Sequence, residues 1–303
     1  MRRLAALAIA ATLVLAGCSS ANPEVTPSGG AGRIGDITVS ASDTRAPALE
    51  WPPQLIFDTA QSQVVWQGEG EQLIDRQPLL LDIFIQSLET GEVLQNTYDG
   101  LPRSFLLSPE LLGEDLYEVL INQRVGTRVL LVAPRIEGFA EETAIAVVVD
   151  VLPDRANGDA VNVRNDLPIV INGRTGEPDI VLRENQQIPA EFTVATLVRG
   201  DGEQVQKGSY VVAQYKAVFT SAGSDAEGSW IPGGVFDSTW PPEKAPYEVQ
   251  VGVGETIRAI DEGLIDQTVG SQVMIVAPES WGYPGKGTLV FVIDILDVWT
   301  PDS

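Results

Sequence analysis

The sequence predicts an α+β protein of two successive domains, each a mainly antiparallel sheet with one short helix packed on it. Three observations carry that prediction: an internal repeat, stretches that alternate with β-branched and aromatic residues, and one short helical period. In the repeat, Gln67-Gly68-Glu69-Gly70-Glu71-Gln72-Leu73 returns as Arg199-Gly200-Asp201-Gly202-Glu203-Gln204-Val205, an offset of 132 that also matches Ile37-Thr38-Val39 to Ile169-Val170-Ile171. Further on, the run from Gln123 to Pro134 returns from Gln267 to Pro278 at an offset of 144, which holds as far as Leu152 against Leu296. The change from 132 to 144 places twelve extra residues in the second copy, at 221–234. An insertion between repeated strands is a surface loop.

The alternating stretches are 210–219 and 288–296, with Gly-rich turns at their ends. The helical period is 256–264, where Ile257, Ile260 and Leu264 share one face and Arg258, Asp261 and Glu262 the other. Residues 153–166 are polar and carry Gly, Asn and Asp, the composition of an interdomain linker. The domains are therefore expected at 34–153 and 154–303. The roughly 270 residues beyond position 33 are too many for one small core.

The first residues read as an export signal. Arg2 and Arg3 precede an apolar run over 4–15, shorter than the roughly 20 residues a membrane-spanning helix needs. Leu15-Ala16-Gly17-Cys18 follows and is similar to the bacterial lipobox, whose cysteine becomes the lipidated first residue. A leader at 1–17, a flexible tether at 18–33 lipidated on Cys18, and an extracytoplasmic place on the bacterial cell membrane are the expectations. Cys18 is the one cysteine, so the chain has no internal disulfide and no thiol catalysis in its folded part. The absence of histidine removes Ser-His-Asp hydrolysis and most zinc chemistry. Without Arg2 and Arg3, 17 basic residues face 42 acidic ones, a net of −25. That charge opposes nucleic acid and anionic lipid, and suits a solvated surface.

Taken singly, the second copy's notable residues have ordinary readings. Phe236, Val249 and Phe291 read as core, Asp237 as a turn residue before Ser238-Thr239, and Tyr283 as a loop aromatic between Gly282 and Pro284. Their order and spacing carry more. Tyr215, Val235-Phe236-Asp237-Ser238-Thr239, Val251-Gly252, the run from Ile257 to Leu264, Val269-Gly270, Gly282-Tyr283 and Thr288-Leu289-Val290-Phe291 together resemble the FKBP-type peptidyl-prolyl isomerases over nearly the whole copy. The resemblance implies a twisted antiparallel sheet wrapped around a short helix, in two tandem copies, with an apolar pocket between sheet and helix. It assigns Tyr215, Asp237 and Tyr283 as catalytic, and Phe236, Tyr247, Val249, Ile257, Ile260 and Phe291 as pocket residues that bind proline-containing polypeptides. The backbone N–H at Ile257 is implied to bind a substrate carbonyl. No bond breaks in prolyl isomerisation, so no metal and no cofactor are expected. A monomer is expected.

The second copy departs from the family pattern in several places. Ile260 stands where most active members have tryptophan, 284–287 is short, Pro284 replaces a glycine, and 221–234 is long and contains Trp230. In the first copy, Ile83 replaces Tyr215, Leu94-Gln95 replaces Phe236-Asp237, Gly113 replaces Ile257, Phe139 replaces Tyr283 and Val147 replaces Phe291. The first copy is therefore expected to be a degenerate domain without isomerase activity. The leading expectation is an isomerase that assists folding of secreted or surface proteins, and the alternative is a non-catalytic peptide-binding or chaperone lipoprotein. A solute-binding lipoprotein would need two α/β lobes, against which the duplicated β pattern argues.

Overall fold

The computed structural model describes residues 32–42, 46–53, 55–134, 144–241 and 244–301. The expected leader, Cys18 and Phe139 lie outside the described residues. So does the tether except for its end, where Gly32 and Arg33 already belong to the fold. The Gly32 N–H donates to the Ile56 carbonyl at 2.6 Å, and the Gly32 carbonyl accepts from Gln61 Nε2 at 3.1 Å. The chain divides into two compact units. One holds 32–96 and 105–151, the other 97–104 and 152–301.

Both units are built on the same sheet. In the first unit the strand order is Gln61–Trp66, Arg128–Ala133, Ile145–Leu152, Pro78–Ser87, Val93–Asn96. In the second it is Thr193–Arg199, Gln272–Ala277, Leu289–Trp299, Tyr210–Phe219, Val235–Ser238, with Tyr247–Gln250 also paired to Tyr210–Phe219. The pairs of the second sheet are antiparallel. Register makes the duplication exact at the site-bearing strands: Ile85 faces Gln95 in one ladder, and Ala217 faces Asp237 in the other.

The repeated glycines have a steric reason. A Cβ on Gly68 would sit 2.1 Å from the Val125 carbonyl oxygen, and one on Gly200 would sit 2.0 Å from that of Val269. At both places the chain crosses the turn before the next strand so closely that no side chain fits.

The helix is shorter than the period suggests. It runs Arg258–Gly263, with Ile257 and Leu264 as its capping residues, and buries Ala259, Ile260 and Gly263 against the sheet. Val273, Ile275, Phe291, Ile293 and Ile295 meet it from the sheet in one apolar core. The alternate residues Met274, Val276, Val290 and Val292 are also fully buried, on the opposite face, with Leu167 and Ile180. Burial on both faces accounts for the unbroken apolar runs of these two strands.

The segment 153–166, read from its composition as a linker, lies along the edge of this sheet. Asp159–Ala160 adds to the sheet edge beside Val198 and Arg199. The N–H groups of Asn157 and Gly158 donate to the Gly270 carbonyl at 3.1 and 3.2 Å. Polar composition signalled a loop, but this loop finds its backbone partners on the sheet edge.

Candidate functional site

The strand Tyr210–Phe219 organises the site because it is paired on both edges. Along one edge it meets Val235–Ser238 and then Tyr247–Gln250, and along the other it meets Leu289–Trp299. Alternation along the strand puts Tyr215 and Ala217 on the helix-facing side, and Ala217 lies between Asp237 and Phe291. With alanine there, Tyr215, two residues away, reaches both neighbours diagonally. Its hydroxyl donates to Asp237 Oδ2, and its ring lies 6.3 Å from that of Phe291 and edge-on to Tyr247 at 5.5 Å.

Asp237 is held by three donors. Besides Tyr215 it accepts from Lys244 Nζ at 3.0 Å and from the Ser238 N–H at 2.8 Å. Burial alone would push this carboxyl up, but the hydrogen bonds from Tyr215, Lys244 and Ser238 outweigh it and hold Asp237 below its ordinary value. Burial, then the bond to Asp237, drives the Tyr215 hydroxyl well above its ordinary value. Burial also raises Tyr283, aided by the neighbouring Tyr247 and Asp237. At neutral pH the site therefore holds one fixed carboxylate and protonated tyrosines.

The remaining wall is aromatic. Phe236 packs against Tyr283 at 4.8 Å between ring centres. Tyr247 is oriented by a hydrogen bond from its hydroxyl to Thr256 Oγ1 at 3.1 Å, just before the helix. Val249, Ile260 and Phe291 are buried in the core beneath. Ile257 is half-buried at the helix start, and among the described residues its N–H has no hydrogen-bond partner. The same is true of the Tyr283 hydroxyl, on a side chain 37 % exposed. The loop before Tyr283 is tied to the helix by the Ala259 N–H, which donates to the Trp281 carbonyl at 2.9 Å. Trp281 is in turn stacked on Phe192 at 3.9 Å and covered by the Arg258 guanidinium at 3.8 Å.

The structure thus brings Tyr215 and Asp237 into direct contact and sets Phe236, Tyr247, Tyr283 and Phe291 around them. Val249 and Ile260 form the buried layer below. Sequence reasoning missed Lys244, whose partner lies seven residues back in the sequence, and Thr256. Periodicity marks neither.

The first unit's counterpart is apolar. A cavity of about 40 Å³ is lined by Ile83, Ile85, Phe105, Leu116, Val147 and further aliphatic side chains. At the Asp237 position, the Gln95 Nε2 is buried without a partner among the described residues, because Ile83 offers no hydroxyl.

An aromatic site with one hydrogen-bonded carboxylate and the hydroxyls of Tyr215 and Tyr283 is suited to binding by apolar contact and hydrogen bonding. The comparisons give it a family. The model of the FKBP-type peptidyl-prolyl cis-trans isomerases matches residues 201–296. The FK506-binding protein of Streptomyces anulatus is 28 % identical over 120 residues, 36 % of this chain and 88 % of that protein. FK506-binding protein 2 of Aspergillus oryzae is 30 % identical over 100 residues, 30 % of this chain and 66 % of that one. Among solved structures, the three FKBP domains of wheat FKBP73 align at 12 % identity and a TM-score of 0.30, over 80 % of this chain and 95 % of that one. AtFKBP13 aligns at 22 % and 0.29, over 36 % and 94 %. Residues 201–296 are thus an FKBP-type peptidyl-prolyl cis-trans isomerase domain, and this second domain is the enzyme unit.

Proposed function

We propose that the protein is an extracytoplasmic prolyl isomerase, held to the bacterial cell membrane through lipid on Cys18, that speeds X–Pro isomerisation in secreted or surface polypeptides. The observation that most supports this is a single one: a hydrogen-bonded Tyr215–Asp237–Lys244 chain lies in the same aromatic site as two donors without a partner among the described residues, the Tyr283 hydroxyl and the Ile257 N–H.

The chemistry follows from the barrier. Rotation about the peptide bond costs about 18–20 kcal/mol because resonance is lost, and the twisted amide carries less charge on its carbonyl than the planar one. Phe236, Tyr247 and Phe291 take the proline ring out of water, which favours the less polar twisted state. Each 1.4 kcal/mol removed from the barrier is about tenfold in rate. The Ile257 N–H binds the carbonyl that follows the proline, and Tyr283 donates to the flanking peptide. Asp237, itself immobilised, orients Tyr215 at the pocket wall. Uncatalysed isomerisation takes tens to hundreds of seconds, slow enough to limit folding after export.

The test uses the soluble chain from residue 19, with cis-to-trans conversion of an X–Pro peptide followed with and without a macrolide inhibitor. Inhibitable acceleration that falls in Tyr283→Phe and Asp237→Val is expected. Peptide binding without acceleration would replace the isomerase reading with the peptide-holding one, which Ile260 in the pocket floor favours. Lipidation predicts palmitate labelling of the full chain that is lost in Cys18→Ser.

A further inference from the structure

The two loops that depart from the family pattern, 221–234 and 284–287, are joined to each other. The insertion folds as a hairpin of Gly223–Asp225 with Gly228–Trp230. Lys286, from the short loop, reaches it. Its ammonium donates to the Asp225 carboxylate and to Glu227 Oε2 at 3.1 Å, and lies 5.1 Å from the centre of the Trp230 ring. Trp230 stacks on Phe219 at 4.7 Å, Phe219 meets Phe236 edge-on at 5.4 Å, and Phe236 packs on Tyr283. The Lys286 N–H donates back to the Tyr283 carbonyl at 3.2 Å. These contacts close a circuit: Tyr283, Phe236, Phe219, Trp230, Lys286 and back to Tyr283.

The circuit matters because the loop has little else to hold it. Pro284 and Gly285 are exposed, and Gly285 and Gly287 take positive φ, so the segment contributes no apolar side chain of its own. One further anchor is the Glu279 carboxylate, which accepts from the Gly285 N–H at 2.6 Å. Lys286 is the one side chain of 284–287 that reaches the rest of the pocket wall, and its side chain is only 19 % exposed.

We propose that Lys286 is a positioning residue for the isomerase site: clasped by the inserted hairpin, it holds Tyr283 against Phe236 in the geometry that grips a proline-containing peptide. The inference rests on the function proposed above. The insertion supplies what the shortened loop lacks, a fixed support behind the tyrosine. A charge-based clasp is also weakened by salt, since the screening length falls to about 3 Å at 1 M.

The test compares the soluble chain with Lys286→Met, Lys286→Arg and the doubly substituted Asp225→Asn/Glu227→Gln. Two quantities are read: the KM and kcat for an X–Pro peptide, and the NMR order parameters of the backbone amides over 282–287. Lys286→Met and the double variant should raise KM about three- to tenfold, the range of a partly exposed ion pair plus a cation–π contact, with kcat changed less. Lys286→Arg should restore KM. The loop amides should fall toward the flexible range, below about 0.6, while the sheet stays rigid. Unchanged KM overturns the proposal, whether or not the loop loosens. If the unaltered chain shows no turnover, the isomerase reading fails, and the order parameters alone decide the clasp: loop amides as rigid in Lys286→Met as in the parent overturn it.

Discussion

The duplicated ladder contains one substitution with a measurable cost. In the first unit Arg128 faces Asp150, pairs with its carboxylate through two hydrogen bonds, donates to the Ser42 carbonyl at 2.7 Å and lies 4.1 Å over the Trp66 ring. The equivalent pair in the second unit is Gln272 facing Asp294, an amide in place of the cation. Asp294 is 2 % exposed and accepts from the Ala156 N–H at 2.9 Å and from Gln272 Nε2 at 2.8 Å. Burial outweighs these donors, and the carboxyl is pushed up from 3.8 to about 6. A raised folded value means the native state binds the proton more tightly than the unfolded chain. The stability this gives is full below the unfolded value and is lost as pH rises through about 6. At 1.36 kcal/mol for each unit between the two values the full loss is about 3 kcal/mol, of which about 2.5 kcal/mol falls between pH 4 and pH 8. Asp294→Asn removes the titration, with Gln272 and Asn172 turning their amides to keep the network paired. Urea unfolding of parent and variant at matched pH isolates this carboxyl from all others. The stability difference should move by about 2.5 kcal/mol in favour of asparagine from pH 4 to 8. Gln272→Arg, which restores the first unit's pair, should flatten the parent's curve in the same window. A parent-minus-variant difference that stays constant across that range would refute the reasoning.

Catalysis should ignore the same pH range. Asp237 is held low, so its charge persists until pH falls below the ordinary carboxylate range, and Tyr215 and Tyr283 are held high; kcat/KM should be flat from about pH 5 to 9. A bell-shaped profile inside that range would assign the chemistry to other groups. Gly200→Ala forces a Cβ to 2.0 Å from a carbonyl oxygen and should cost the second domain about 2 kcal/mol or more in urea unfolding. A neutral result would mean the crossing is looser than described. Gln95→Met replaces a buried, unpartnered amide nitrogen with an apolar chain of similar size and should stabilise the first domain by about 1 kcal/mol. Destabilisation would mean that Gln95 has a partner in solution.

Much of this was legible in the sequence because strands repeat their spacing. The 132-residue offset already matched Gly200 to Gly68, the 144-residue offset matched Gln272 and Asp294 to Arg128 and Asp150, alternation marked the strand through Phe219, and the helical period marked the helix. What was not legible depends on where polar chain lies down. The stretch 153–166 has a linker's composition, yet it closes the sheet edge, because a backbone can be held by its N–H groups whatever its side chains. Leu167 and Ile180, which bury the second face of the sheet, sit in short apolar runs that do not say which face they cover. Lys244 and Lys286 were invisible for a related reason. Each pairs with a carboxylate brought to it by a turn, and turn geometry leaves no spacing rule in the chain.

The two units also separate what the fold requires from what the site requires. Glycines that would clash and residues that set ladder register occur in both, so the backbone that could frame a pocket is present twice. The polar atoms that give the pocket its chemistry occur once. Ile83 has no hydroxyl, the Gln95 amide nitrogen finds no acceptor among the described residues, and the hollow beside Ile83 and Val147 is lined by carbon. A pocket of that kind can exclude water, but it cannot orient a peptide bond. Among the described residues, the lining of the first unit's hollow offers apolar contact and no hydrogen-bonding side chain. In the soluble chain, Asp237→Val combined with Tyr283→Phe should accordingly cut inhibitable turnover well below that of the parent. Turnover at the parent's level in that double variant would take the chemistry away from these two side chains and overturn this division of labour.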